Sequence, residues 1–329
     1  MLARRSRIFR LPRRFHTSYL DRRGLAWISN GSRLCLIGLF GLLVPICSCL
    51  GQTADLKDPA GSSGPSNSDL FNLVIANQKR VDADLNLYER VERVEYRKTG
   101  SDPKPSDVKV WQVFPAGTGM DKIPLGLDGK PANTESYVEA LRKLEETLKW
   151  AAQDGVAQQE AYSRLERRHK ERNALIDATR TAFFFTRVGE EMRDGRVLVK
   201  YDMNRNPAFK PTTRNEMLFT KVHGTIWIDK QSSELAKIEG EVTEDISIAL
   251  FLAKVYRGSY FMQERYEMAP GVWLPSYQQY DFDGRKFLIP FSIHERTFYS
   301  HYQRVGPPQQ AMNVVRDELN KLNGSSESK

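Results

Sequence analysis

The chain has 329 residues, 40% of them hydrophobic, three cysteines and a formal net charge of +8. Nine arginines and one acid fall within residues 1–48, leaving 40 basic and 40 acidic residues in the remainder, so the basic excess belongs to the start of the chain and gives no support to a nucleic-acid partner. Cys35, Cys47 and Cys49 all precede residue 50, which removes disulfide-scaffold, zinc-ribbon and cysteine-nucleophile readings from everything downstream.

Leu34–Ile46 is an almost unbroken apolar run behind the arginines, and small residues follow it. A basic region, a short apolar core and small residues describe a secretory signal. The run is too short to cross a bilayer comfortably, for which about 20 residues are needed. Asp21-Arg22-Arg23-Gly24-Leu25 loosely resembles a twin-arginine signal. Ile46-Cys47-Ser48-Cys49 resembles the lipobox of bacterial lipoproteins, with an aliphatic residue three before the cysteine and a small one before it. That resemblance makes Cys49 the lipid-attachment residue. Each buried CH₂ adds about 0.8 kcal/mol, so two or more acyl chains hold firmly. Cleavage after Gly51 and an uncleaved leader stay open as alternatives. Residues 1–48 are thus expected to be a signal peptide, and the mature protein to reside in the periplasm or at the outer membrane. Residues 49–68, rich in Gly, Ser, Pro and Asp, read as a flexible tether.

The spacing of Leu70, Phe71, Val74, Ile75 and Val81 predicts a helix from about Asp69 to Asp84. Leu85–Lys98 and Asp107–Gly117 alternate and are rich in Val, Tyr, Trp and Phe, so they read as strands, with a third over Ile123–Leu127. A helical insert spans 133–179. Its first helix carries a stripe of Tyr137, Leu141, Leu144 and Leu148, and its second is polar almost all round. Asp194-Gly195 predicts a type I′ hairpin between Phe183–Met192 and Arg196–Asn204. Strands are expected over Glu216–His223, Gly224–Asp229 and Glu234–Glu241. Ile246–Val255 reads as a buried helix, with a buried strand as the alternative. Four meander strands follow: Ser259–Met268, Val272–Asp281, Arg285–Phe291 and His294–Tyr302, with turns at Pro270-Gly271 and Asp283-Gly284. Residues 306–329 read as a flexible C-terminal tail holding one short helix over Gln309–Leu322. The main domain is therefore 69–305, an α+β unit with a large curved antiparallel sheet, helices against one face and a helical insertion.

Two stretches carry a resemblance. Gly224–Val242, GTIWIDKQSSELAKIEGEV, and Tyr266–Tyr280, YEMAPGVWLPSYQQY, are similar to hairpins of the outer-membrane lipoprotein carrier superfamily (LolA/LolB/LppX-like), mainly across 183–305. The resemblance implies a half-open β-barrel with helices against its concave face, holding acyl chains of a lipid or lipoprotein in the bacterial envelope. A sheet closing on itself leaves a lumen, and such pockets are mostly apolar. Trp111, Trp227 and Trp273, on three separate predicted strands, and Phe251 and Leu252, on the apolar segment, are the ligand-cavity candidates.

No catalytic or cofactor signature is legible. There is no G-x-S-x-G, P-loop or G-x-G-x-x-G. His294, Glu295 and His301 lack the HExxH spacing, and positions seven apart on a regular strand face opposite ways, so no metal site is expected there. The expectation is a non-enzymatic envelope carrier without a cofactor. The alternative is a structural or assembly protein that docks a protein partner through 133–179.

Overall fold

The computed structural model describes residues 67–248, 253–287 and 289–326. The signal peptide with Cys49, most of the tether, and Phe251 and Leu252 lie outside the described residues. Helix α1 (Asn67–Asp84) and a 3-10 turn (Leu85–Leu87) lead into strands β1 (Tyr88–Arg97), β2 (Asp107–Pro115) and β3 (Met120–Leu125). Helices α2 (Thr134–Ala151) and α3 (Val156–Ala182) follow, then β4 (Phe183–Arg193), β5 (Arg196–Arg205) and a second 3-10 turn (Glu216–Lys221). The chain continues through β6 (Val222–Asp229), β7 (Leu235–Val242), β8 (Ile246–Ile248), β9 (Ala253–Val255), β10 (Tyr260–Ala269), β11 (Val272–Lys286) and β12 (Ile289–Arg304), and helix α4 (Pro308–Ser326) completes it.

All these strands belong to one antiparallel sheet of order β3-β2-β1-β12-β11-β10-β7-β6-β5-β4, with the β8–β9 hairpin attached to β11. Strands β3 and β4 are its edges, so the sheet does not close. The nine inter-strand steps of the main path, at about 4.8 Å each, make an arc of about 43 Å. Helix α3 reaches from one edge to the other. Arg168 donates to the Thr118 carbonyl of the β2–β3 loop at 3.5 Å, and Ala182 runs directly into β4. Residues 168–182 of a helix span only about 21 Å. A chord so much shorter than its arc means that the sheet is curled: the fold is α+β, a half-open barrel.

Local chemistry explains the elements. Asp194 and Gly195 take φ of 49° and 77°, the positive values a type I′ turn demands, and glycine adopts the second without steric cost. In α2 the Asn133 side chain accepts from the Ser136 N–H at 2.8 Å, capping the first turn. The stripe of Tyr137, Leu141, Leu144 and Leu148 is buried against Phe114, Ile123 and α4.

Four expectations are corrected. The stretch 246–255 is no helix at its described ends: Ile246 pairs with Val255 and Ile248 with Ala253, and β9 continues onto β11. The helix preference of Ala and Leu is worth tenths of a kcal/mol per residue, less than pairing with an available sheet edge. Glu216–Lys221 is a 3-10 turn rather than a strand, held by Thr212 and Thr213, which hydrogen-bond the Glu216 carboxylate and backbone N–H. Asp283-Gly284 is not a turn but mid-strand in β11. A Cβ on Gly284 would meet the Lys254 carbonyl oxygen at 2.1 Å and the Phe291 ring at 2.7 Å, so this glycine serves close approach of neighbours. The chain reverses instead at Phe287, φ 56°, where Lys286 pairs with Ile289, and three long strands replace the four expected. Finally, the helix expected over Gln309–Leu322 forms, as Pro308–Ser326, but it is docked rather than part of a flexible tail: Ala311, Met312, Val315 and Leu319 are buried in one core with α2.

Candidate functional site

Directly paired residues of an antiparallel ladder share a face. Tyr201, Ile226, Ile238, Gln263, Gln278, Thr297, Val94 and Lys109 are successive partners from β5 to β2 and form one row. Phe71 of α1 meets Tyr201 edge-on at 5.3 Å and stacks on Phe185 at 4.3 Å, so α1 covers this face, here called inner. Helix α3 lies alongside α1, tied by Lys79–Asp177 at 2.6 Å and by Asp82 with Arg172 and His169. Helices α2 and α4 instead cover the outer face of β2 and β3, where Tyr137 donates to Gln112 Oε1 at 2.8 Å.

The inner face is divided. At the β4–β7 end it is apolar: Phe183, Val199, Tyr201, Met203, Ile226, Ile228 and Ile238 are buried. Across β10, β11, β12 and β1 it is mixed: the buried Phe261, Tyr280, Phe282 and Val94 share it with Gln263, Arg265, Gln278, Thr297, Tyr299, Arg90 and Glu92. Strand irregularities assemble this second half. Val91 pairs with Ser300 but Glu89 with Gln303, so Arg90 alone opposes His301 and Tyr302. His301 takes φ 53° and is the inserted residue of a β-bulge, which returns Tyr302 to the face of Tyr299. A second shift, between Glu264/Arg265 on β10 and Tyr277/Pro275 on β11, lies beside it.

The hydrogen bonds form a network. Arg90 Nε donates to Glu92 Oε1 at 2.9 Å, and Lys122 Nζ to Glu92 Oε2 at 2.6 Å. Tyr299 donates to Gln278 Oε1 at 2.6 Å, and Gln278 donates to the Tyr280 hydroxyl. Tyr302 donates to the Pro275 carbonyl at 2.8 Å. Arg265 donates to Gln263 Oε1 at 2.8 Å and to Gln78 of α1. Two donors in this region have no partner among the described residues: Arg90 Nη1 and Arg265 Nε, both buried atoms.

Electrostatics marks the same place. Burial alone would raise the Glu92 carboxyl, yet Arg90 and Lys122 outweigh it and hold the pKa below the ordinary value. Burial pushes the Arg265 guanidinium down to about 10 and the Tyr299 and Tyr302 hydroxyls upward. Arg265, Tyr299 and Tyr302 nonetheless keep accessible surface, being half-buried. Among the described residues Arg265 has no carboxylate within 4 Å. Glu234 and Asp82 act on it from farther off, and each is held by its own cation, Arg80 and Arg172.

The structure does not bring the three tryptophans together. Trp111 is half-buried on the inner face, paired with Glu92. Trp227 faces the other way: Lys200 and Lys237, its cross-strand partners, stand over its ring at 5.1 and 4.4 Å. Trp273 lies beneath Arg196 at 5.0 Å and shares a core cluster with Trp227, Leu198 and Ala236. Among the described residues no group of three or more His, Cys, Asp or Glu is placed to hold a metal ion. Sequence reasoning missed Arg90, Arg265 and Tyr302. Alternation carried a signal for the first: in YERVERVEYR the positions of Arg90, Glu92 and Val94 share one face, and both charges are buried, 8% and 5% exposed. Tyr302 gave none, because only the bulge at His301 turns it inward.

No family model matches the chain, and no curated protein matches it. Among solved structures it is similar to a DUF1329 family protein from Desulfovibrio piger ATCC 29098, with 10% identity, 72% of this chain and 92% of that chain covered, and a TM-score of 0.25.

Proposed function

We propose that this protein is an exported, non-catalytic carrier that receives a lipid or the acyl part of a lipoprotein between the inner face of the half-open barrel and helices α1 and α3. The observation that carries the proposal is that one curved face, covered by α1, sets a group of polar side chains, Arg90, Gln263, Arg265, Gln278 and Tyr299, among buried apolar ones that run from Phe183 and Tyr201 to Phe261 and Phe282. Such a surface suits an amphiphile: apolar burial contributes about 25 cal/mol per Å², and a few placed polar groups fix orientation. Helix α3 supports the reading as a strap across the opening. Its buried residues Ala174, Leu175 and Ile176 lie toward the β4 edge, while most of its earlier turns face solvent. The resemblance of Gly224–Val242 and Tyr266–Tyr280 to lipoprotein carriers agrees with it, and acylated Cys49 would hold the carrier at a membrane.

The test is titration of delipidated protein with tritiated oleyl alcohol and tritiated oleate in equilibrium dialysis. Saturable binding near one chain per protein is expected. Absence of saturable binding of either would overturn the proposal.

A further inference from the structure

We infer that Arg265, with Arg90 and Tyr302, forms a receiving site for the anionic group of the ligand, a carboxylate or phosphate, inside the fold. The inference rests on the carrier reading and names the ligand's polar end. Three observations carry it. Arg265 is a cation on the inner face whose hydrogen-bond partners, Gln78 and Gln263, are neutral, and whose Nε has none. Arg90, 8% exposed, spends Nε and Nη2 on Glu92 and keeps Nη1 without a partner. Tyr302 stands opposite Arg90 in the β1–β12 ladder, and its hydroxyl donates to the carbonyl of Pro275, the cross-strand partner of Arg265.

The balance of charge matters. Glu92 is shared by Arg90 and Lys122, so that trio is left with one net positive charge. Arg265 adds a second. Glu234 and Asp82 act on Arg265 from beyond 4 Å and are matched by Arg80 and Arg172, and Glu295 accepts from Thr297 at 3.2 Å. A half-buried cation with no carboxylate in hydrogen-bond reach is costly, and a structural role would be served better by an apolar side chain of similar volume. Guanidinium is also the group that matches carboxylate and phosphate oxygens geometrically, through paired N–H donors. Two bulges converging on this spot, at His301 and next to Arg265, fit a place where side chains are re-aimed for binding.

The experiment compares probes of one chain length on the full mature protein: oleate, oleyl alcohol and inorganic phosphate, by equilibrium dialysis and competition. Oleate is expected to bind about tenfold or more tighter than oleyl alcohol, from charge-assisted hydrogen bonds to guanidinium. Arg265→Met should bring that ratio close to one, and Arg265→Lys should keep part of it, with thermal melts showing that both variants fold. Phosphate displacing oleate competitively would support the site and assign it to free anions as well. Failure of phosphate to compete, with the oleate preference intact, would support it and assign it to the head of an amphiphile. Equal binding of oleate and oleyl alcohol by the unaltered protein would overturn the inference while leaving the carrier reading standing. Absence of binding by both would overturn the two together.

Discussion

Asp281, on the outer face of β11, shows how much one residue can hold. Its carboxylate accepts from Arg296 Nη1 at 2.9 Å and Nη2 at 2.8 Å and lies 3.1 Å from His294 Nδ1. Arg296 also reaches the Gly100 carbonyl at 3.1 Å, so the pair fastens the β1–β2 loop to the sheet. Burial pushes the Asp281 carboxyl up, but hydrogen bonds from Arg296, Gln279 and His294 outweigh it and bring the pKa below the ordinary carboxylate value. A depressed folded value means stability that is present in full above the unfolded pKa of about 3.9 and lost as pH falls through the folded one. Asp281→Ala leaves the buried Arg296 without its counter-ion, and the expected cost near neutral pH is about 3 kcal/mol. Urea unfolding of both proteins at pH 7, 5 and 3 checks this. The gap should be similar at the first two and smaller at the third, and a gap already shrinking between pH 7 and 5 would count against the assignment. At this scale the sequence concealed the partnership, because residues 281 and 296 meet only through the β11–β12 register.

Among elements, α4 is the helix expected over Gln309–Leu322, but its role differs from expectation. Its apolar positions Ala311, Met312, Val315 and Leu319 have helical spacing, yet Gly306, Pro307 and Pro308 before it and the polar residues after it suggested a fraying end. The structure gives that stripe a partner in α2, and Arg316 binds Glu145 at 2.6 Å across the seam. Removing residues 307–329 should therefore uncover Leu141, Leu144 and Leu148. The expected result is a lower melting temperature and a rise in dye binding to exposed apolar surface. An unchanged melt would mean that α2 is stable on the sheet alone. The helical insert and the β4–β5 hairpin were legible because their signals are local: a 3.6-residue period, an Asn cap, an Asp-Gly pair. The β8–β9 hairpin and the uninterrupted β11 were not, because a glycine that turns a chain and one that admits a neighbour's carbonyl look alike in a sequence.

For the molecule as a whole, two facts of charge and connectivity stand out. The net charge of +8 resides in residues 1–48, and the rest is neutral. If the leader is removed as proposed, the mature mass begins at Cys49 carrying acyl chains. Mass spectrometry of the protein purified from a bacterial envelope decides it: an acylated Cys49 is expected, and a free Gln52 terminus or an intact leader would refute the anchor. The second fact is that β1 lies beside β12, joining residues 88–97 to 294–304 across nearly the whole described chain. The inner face is therefore complete only when the last strand is in place, with Arg90 from β1, Arg265 from β10 and Tyr302 from β12. The sequence by itself determined the class of fold, the helical insert, most strands and the charge asymmetry, since period, turn residues and composition act over a few neighbouring positions. Only the tertiary structure decided which face α1 covers, that α4 is core, and that Arg90, Arg265 and Tyr302 share one face of the sheet. Strand order, register and bulges follow from which partner each strand finds, and the local pattern of a strand does not encode that partner.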